Sequence, residues 1–259
     1  MNKNPSNFVH LQRLVIAPAQ RQDCQISLTD VQQHYLVRVL RLGNGARFIA
    51  MDGQGSWWLC ELAASLTQAK IIESLSVQTE LCLGVTLMVA MPKGSGFEQI
   101  VSQATELGVD SIMPLKSDRT LLNPSHQKLE RWRRLSQEAA EQSERQIVPT
   151  VLEPVDFTTG MQLTGILNAH RYICVARGDA PHLLSCLLQL ESVWPTIQPH
   201  HHQPPSVVIA TGPEGGWTAT EVQQATAAGF QPVSLGCRIL RAVTAPIVAM
   251  SLVAAFLEQ

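Results

Sequence analysis

The sequence offers few of the marks that assign a chain to a class at a glance. No apolar core follows the first residues, MNKNPSNFVH, so a secretory leader is not expected. The longest apolar run, APIVAMSLVAAFL at 245–257, is broken only by Ser251 and is too short to span a bilayer; it reads as a buried terminal helix. Six cysteines, at 24, 60, 82, 174, 186 and 237, are scattered with no CxxC pair. That argues against a disulfide framework or a metal site and for reduced thiols in a cytoplasm. Neither GxGxxG nor GxxxxGK[ST] occurs, which leaves the common nucleotide-binding loops unsupported. Net charge is only −2, so the chain does not advertise a nucleic-acid binder.

What remains is a chain of 259 residues, 45% hydrophobic and 15% charged, with room for one large domain or two modest ones. The pattern divides near residue 78. In 8–78, FVHLQRLVI begins as alternation, and ARFIAMDGQGSWWLCELAAS reads as two strands around a DGQG turn. Between them, LTDVQQHYLVRVLRLGNG predicts a short helix capped by Thr29 or Asp30, with Val31, Tyr35, Val39 and Leu42 along its apolar side and Gly43 as its stop. A weak alternation over 70–77 would close the sheet, giving a small barrel with one helix. Residues 1–78 carry +2 and the rest −4, a small basic excess that suits contact with phosphates.

From about Leu81 strands and helices alternate, which predicts an α/β domain with a mostly parallel sheet covered on both faces. VTLMVAM is a fully apolar strand. FEQIVSQATELG is a helix with Phe97, Ile100, Val101, Ala104 and Leu107 on one face and Gly108 as its stop. VDSIMPL is a strand, and HQKLERWRRLSQEAAEQSER a long charged helix with Leu129, Trp132, Leu135 and Ala139 facing inwards. RYICVA and VVIATG read as strands on either side of the helical HLLSCLLQL; TATEVQQATAAG, FQPVSLG and the terminal run follow as helix, short strand and helix. The proline-rich stretch 191–206 interrupts this order as a surface loop. Its three histidines, His200–His202, diverge and are expected to be solvated, with no metal.

Open parallel sheets bind ligands beyond the carboxyl ends of their strands. TGPEGGW, at 211–217, leaves such an end and runs towards a helix, with Thr218 or Thr220 as a plausible cap. Glycine there lets a ligand approach the backbone, although a loop at a strand end needs glycine in any case. LGCRILRAVTAPIV, at 235–248, repeats the arrangement before the last helix and sets Arg238 and Arg241 three apart beside an apolar segment. Buried or half-buried arginines there would need anionic or carbonyl partners; the alternative is a pair of snorkelled surface arginines.

TGPEGGW followed by LGCRILRAVTA resembles the two C-terminal signatures of the RsmE-type ribosomal RNA methyltransferases, of the SPOUT (trefoil-knot) class. HYLVRVLRLGNG with MDGQG, MPKGSGFEQIVSQATELGVDSIMPL, and RWRRLSQEAAEQSERQIVP resemble further stretches of that family, in order, over nearly the whole chain. The resemblance implies a PUA-like RNA-binding β-barrel domain at 1–78 and a SPOUT methyltransferase domain at 79–259 whose C-terminal loops form a knot. It also implies S-adenosyl-L-methionine (SAM) as cofactor, a homodimer, a cytoplasmic location, and methyl transfer to N3 of a uridine in 16S rRNA of the small ribosomal subunit, uridine 1498 in the usual bacterial count. No metal is required, because a sulfonium methyl is already electrophilic.

By the same resemblance the cofactor pocket draws on Thr211, Gly212, Pro213, Glu214, Gly215 and Gly216 from one loop, and on Leu235, Gly236, Ile239, Leu240, Arg241, Thr244 and Ala245 from the other. Arg241, with Arg238 beside it, would stabilise negative charge spreading over the uracil carbonyls. Glu214 would accept the N3 proton, orient the loop, or cap the following helix. Arg38, Arg41, Arg119 and Arg145 are the expected RNA contacts, since the arginine fork suits phosphate; the alternative for Arg145 is a helical pair with Glu141. Two positions depart from the family pattern. Val243 stands where a Glu is usual, which leaves the base unassigned, and Ser95 and Gly96 replace charged residues after Lys93–Gly94. Val243 keeps open a rival reading, a non-catalytic RNA-binding or ribosome-assembly protein on the same fold.

Overall fold

The computed structural model describes residues 10–162, 169–191 and 206–259, in two compact units. The first runs through Glu80 and includes Ala140–Val148; the second comprises Leu81–Ala139 and Pro149–Gln259. The histidines of 200–202 lie outside the described residues.

The first unit is a curled six-stranded sheet, a half-barrel, built from β1 (Arg13–Val15), β2 (Arg21–Gln22), β3 (Gln25–Ser27), β4 (Arg47–Met51), β5 (Trp57–Leu62) and β6 (Gln68–Leu75). The order is β1-β4-β5-β6-β3-β2, with β1 parallel to β4 and every other pair antiparallel. The expected hairpin around DGQG is present. Asp52 Oδ1 accepts the backbone N–H groups of Gln54 and Ser56 at 2.8 and 2.9 Å and holds the turn. The concave side buries Leu14, Ile26, Leu36, Phe48, Trp58 and Leu62.

The helix of this unit departs from expectation for a backbone reason. α1 (Asp30–Gln33) begins with a capping box in which Thr29 accepts from Gln32 N–H and the Gln32 side chain accepts from Thr29 N–H. It then widens into a π-helix over His34–Val39, where Leu40 N–H reaches back five residues to Tyr35 C=O at 3.0 Å. The wider turn shifts the face. Leu36 is fully buried, whereas Val31 and Val39, placed on the apolar side by a 3.6 period, are 79% and 58% exposed. The stop is Arg41, at φ 57°, and not Gly43.

Residues 140–148 complete the first unit. Arg145, expected as an RNA contact, is only 3% exposed, and its guanidinium is engaged by the Glu80 carboxylate through Nε and Nη2. It is a structural tie and is corrected as such: a guanidinium closed in by protein cannot meet a phosphate. Arg13 pairs with Glu144 at 2.7 Å, and Glu141 accepts from Val15 N–H at 2.7 Å, so the segment is sewn to β1.

In the second unit, strands β7 (Gly84–Ala90), β8 (Ser111–Lys116), β9 (Thr150–Val151), β10 (Val155–Asp156), β11 (Ala169–Cys174), β12 (Ser206–Thr211) and β13 (Gln231–Val233) form one sheet. The order is β10-β8-β7-β12-β11-β13, with β9 also on β8, and all the pairs are parallel. Both faces are covered, which is why the central strands β7 and β12 are apolar along most of their length. Val85, Leu87, Val89, Val207 and Ile209 pack on one side with α2 (Gly96–Glu106), α3 (His126–Gln142), α5 (Leu183–Glu191) and α7 (Thr244–Leu257). Met88, Met113, Leu115, Val208 and Ala210 pack on the other with α4 (Phe157–Gln162) and α6 (Ala219–Ala227). The predicted faces of α2 and α3 meet in a Phe97–Trp132 ring contact, centroids 4.2 Å apart. Because every strand points the same way, the loops after β7, β8, β11, β12 and β13 gather at one edge.

Candidate functional site

At that edge lies a cleft of about 550 Å³, counted out to its open mouth, between the loop after β12 and the loop after β13. Gly212, Pro213 and Gly216 line it from the first; Leu235, Gly236, Leu240 and Ala245 line it from the second and from the start of α7. These seven are among the residues expected from sequence. Cys174, Val175, Ala176 and Trp217 add a floor and a side that the sequence reading missed. The available signal was positional, since residues 174–176 leave the carboxyl end of a neighbouring parallel strand. Burial pushes the Cys174 thiol up to about 12, so it presents a neutral, apolar wall.

The glycine loop owes its shape to a turn closed by Gly216 N–H donating to Pro213 C=O at 2.8 Å, with Gly216 at φ 68°, a conformation that disfavours any Cβ. Gly212 is set by crowding: a Cβ there would lie 3.2 Å from the Trp217 indole, whose Nε1 donates to Cys174 C=O at 3.1 Å. Helix α6 begins just beyond, capped by Thr218, which accepts from Glu221 N–H while Glu221 accepts from Thr218 N–H at 2.7 Å. Glu221, 2% exposed, also accepts Asp118 N–H at 3.0 Å and ties the loop after β8 to this end.

Several expected site residues take other roles. Thr211 is fully buried beneath the cleft, its hydroxyl near Met88 C=O. Glu214 does not cap α6; it is exposed, and its Oε1 accepts Lys93 N–H at 2.9 Å, joining the glycine loop to the loop after β7. Gly215 faces away from the cleft, against Arg119, whose Nη1 donates to Gly215 C=O and sits 3.5 Å from Gly216 C=O. Arg119 therefore braces the glycine loop. Ile239 is 67% exposed, and Arg241 and Thr244 are exposed, so none of these three lines the cleft. Arg241 C=O accepts from Thr244 and Ala245 N–H and starts α7. Of the two readings left open for Arg238 and Arg241, the structure shows the surface one: both lie exposed, and Arg238 borders the cleft. Arg38 and Arg41 are exposed on the first unit.

The two departures from the family pattern meet in space. A Cβ on Gly96 would fall 2.7 Å from Val243 Cγ2 and 3.2 Å from Pro92 Cγ. Val243 packs against the core at the start of α7, and the absent side chain at 96 makes room for it. A carboxylate at 243 would have to share that apolar space.

An RNA methyltransferase domain model matches residues 79–254, and an RNA methyltransferase PUA domain model matches 28–73. The chain is 47% identical to a ribosomal RNA small subunit methyltransferase E of Synechocystis sp., over 99% of this chain and 82% of that protein. The Bacillus subtilis protein of the same name is 30% identical over 87% and 88%. Among solved structures, a ribosomal RNA small subunit methyltransferase E from Neisseria gonorrhoeae bound to S-adenosyl methionine superposes with a TM-score of 0.80 at 27% identity, over 95% of this chain and 98% of that one. A putative methyltransferase from Legionella pneumophila in complex with the bound cofactor SAM gives 0.78 at 25% identity, over 95% and 98%. With the family model spanning most of the sequence, the chain belongs to the ribosomal RNA small subunit methyltransferase E family.

Proposed function

We propose that the chain is a SAM-dependent methyltransferase that methylates N3 of a uridine in 16S rRNA of the small ribosomal subunit, at the position-1498 type of site. The observation that carries this is the cleft itself: glycine backbone and apolar side chains at the carboxyl edge of a parallel sheet, in a chain of this family. Gly212, Pro213, Gly216, Leu235, Gly236, Leu240 and Ala245 would hold the cofactor, reading it through main-chain groups in a dry setting. When bound, SAM would supply an electrophilic sulfonium methyl for transfer to N3, in exchange for the N3 proton. The protein's own work is placement and charge. Arg238 at the mouth and Arg241 beside it favour the uracil anion by facing its carbonyl oxygens. With Glu214 engaged on Lys93 N–H and Val243 apolar, its orienting role is favoured over that of proton acceptor, and N3 deprotonation rests on those cations and on solvent at the open mouth.

The first unit, with Arg38 and Arg41, would hold RNA, and the second would carry the chemistry. Two copies would pack through α7. That helix is apolar on all sides, yet Ile247, Val248, Leu252 and Phe256 remain only partly buried in the single chain. Among the described residues no helix is long and apolar enough to cross a membrane.

The test is methyl transfer from labelled SAM to unmodified small subunits, followed by mass spectrometry of the nucleosides. 3-Methyluridine is the expected product. A folded protein that binds SAM yet gives no product would favour the non-catalytic RNA-binding reading that Val243 keeps open.

A further inference from the structure

On the half-barrel, Arg21 sits over the Trp58 ring with its Cζ 4.5 Å from the ring centroid. Trp58 is only 5% exposed, whereas Arg21, on the short strand β2, is exposed and makes no ion pair among the described residues. A guanidinium seated over an indole is steadied by the ring, and the exposed side of its planar group is left to meet a ligand. Two grooves meet at this stack, of about 800 Å³ and about 750 Å³ counted out to their open mouths, and Arg21 and Trp58 line both.

The grooves differ in charge. One is lined by Asp23, Asp52 and Gln54, whose free oxygens accept hydrogen bonds. Asp52 spends Oδ1 on the turn. The other holds Ser56, Ser74, Ser76 and Gln146 with no acidic residue. Phosphate is disfavoured on the first side by the carboxylates and suited on the second by hydroxyl donors beside a cation. A base edge rich in N–H donors has the opposite preference.

Resting on the reading that this chain acts on RNA, we propose that the Arg21–Trp58 stack is a binding platform for single-stranded RNA: one base lies on the outer face of the Arg21 guanidinium with its edge towards Asp23 and Asp52, and the adjoining backbone follows the serine-lined groove. Stacking on arginine planes and hydrogen bonding to splayed bases is how protein surfaces take up unpaired RNA.

The test uses the full chain, a fluorescently labelled single-stranded oligoribonucleotide read by anisotropy, and unmodified small subunits read by methyl-transfer kinetics. Arg21→Ala is expected to weaken oligoribonucleotide binding about tenfold and raise KM for subunits by a similar factor, the usual scale for one lost stacking contact. The rate at saturating subunits and the SAM affinity should stay at the wild-type level, which also certifies the fold. Arg21→Lys keeps the charge and loses the plane, so it should bind as weakly as Arg21→Ala. Full rescue by lysine would reduce the site to a point charge and overturn the platform. Unchanged binding in Arg21→Ala overturns it outright. A loss on subunits alone would hand the groove to a ribosomal protein and also overturn it. Wild-type protein that fails to methylate subunits while binding the oligoribonucleotide through Arg21 would sink the enzymatic reading and leave the platform standing.

Discussion

The two walls of the cleft are built in opposite ways. Residues 212–217 are braced from every side: Arg119 holds the Gly215 carbonyl, Glu214 takes Lys93 N–H, Trp217 is bonded to Cys174 C=O, and α6 starts in a capping box immediately after. The loop after β13 has anchors only at its ends. Ser234 N–H donates to Pro181 C=O at 2.8 Å, and Arg241 C=O takes the first amides of α7. Among the described residues no hydrogen bond ties 237–240 to another element, and Cys237, Arg238 and Ile239 are exposed. One wall is preformed by its own chain. The other has its ends fixed and its middle left for something else to settle, whether cofactor, RNA or a second subunit, so binding must order it and part of the interaction energy goes to that ordering.

The comparison breaks most completely if the braced wall is deformed. Gly216→Val puts a β-branched residue at φ 68°, a strain of about 1–3 kcal/mol, and opens the Pro213–Gly216 turn. SAM affinity measured by calorimetry should fall by about a hundredfold or more, a loss of roughly 2.7 kcal/mol or greater. Affinity within a factor of two of wild type would show that the turn is not a wall of the cofactor site. On the looser wall the largest effect should fall on chemistry. Arg241→Ala is expected to lower the methyl-transfer rate about a hundredfold, the usual scale for removing one charge-stabilising donor, while SAM affinity barely changes. Equal losses in both would move Arg241 from chemistry to binding.

Arg119→Ala separates bracing from RNA contact. Its bond to the Gly215 carbonyl is a charged hydrogen bond, and losing it should cost SAM affinity about tenfold. RNA affinity and its salt dependence should be unaffected. The reverse outcome, weaker RNA binding with normal SAM affinity, would return Arg119 to the phosphate-contact role that its sequence position suggested.

Arg119 also shows where sequence reading runs out. The strands and helices of the second unit were legible because periodicity and burial agree there: Phe97, Ile100, Val101 and Ala104 are fully buried on the face that the 3.6 period selects. The cleft was half legible: glycine at strand ends marked two loops of undecided purpose, and the resemblance to the family assigned Gly212, Gly216 and Gly236 to a pocket they do line. What the sequence could not carry were pairings across long separations. Nothing local tells that Arg119 meets Gly215, that Arg145 meets Glu80, or that Val243 fills the space beside Gly96. The short helix of the first unit failed for another reason. A π-helix over His34–Val39 rotates its faces away from the period assumed, and no propensity rule announces it.

The smallest effect should come from the middle of the looser wall. Ile239 is 67% exposed, so Ile239→Ala removes little packing within one chain and should change the stability of an isolated subunit by no more than about 0.5 kcal/mol. Large exposed apolar residues next to a binding cleft have another use, which is to be covered by a partner. If a second copy fixes residues 237–240 through Ile239 and the half-buried side of α7, the same substitution should shift light-scattering mass towards monomer at low micromolar concentration, and SAM affinity should then depend on protein concentration. A variant that is as stable as wild type, elutes at the same mass and binds SAM equally well would leave the wall to be ordered by cofactor alone. The contrast between the walls would then describe a preformed half and an induced half within one chain, with no role for a second subunit in building the site.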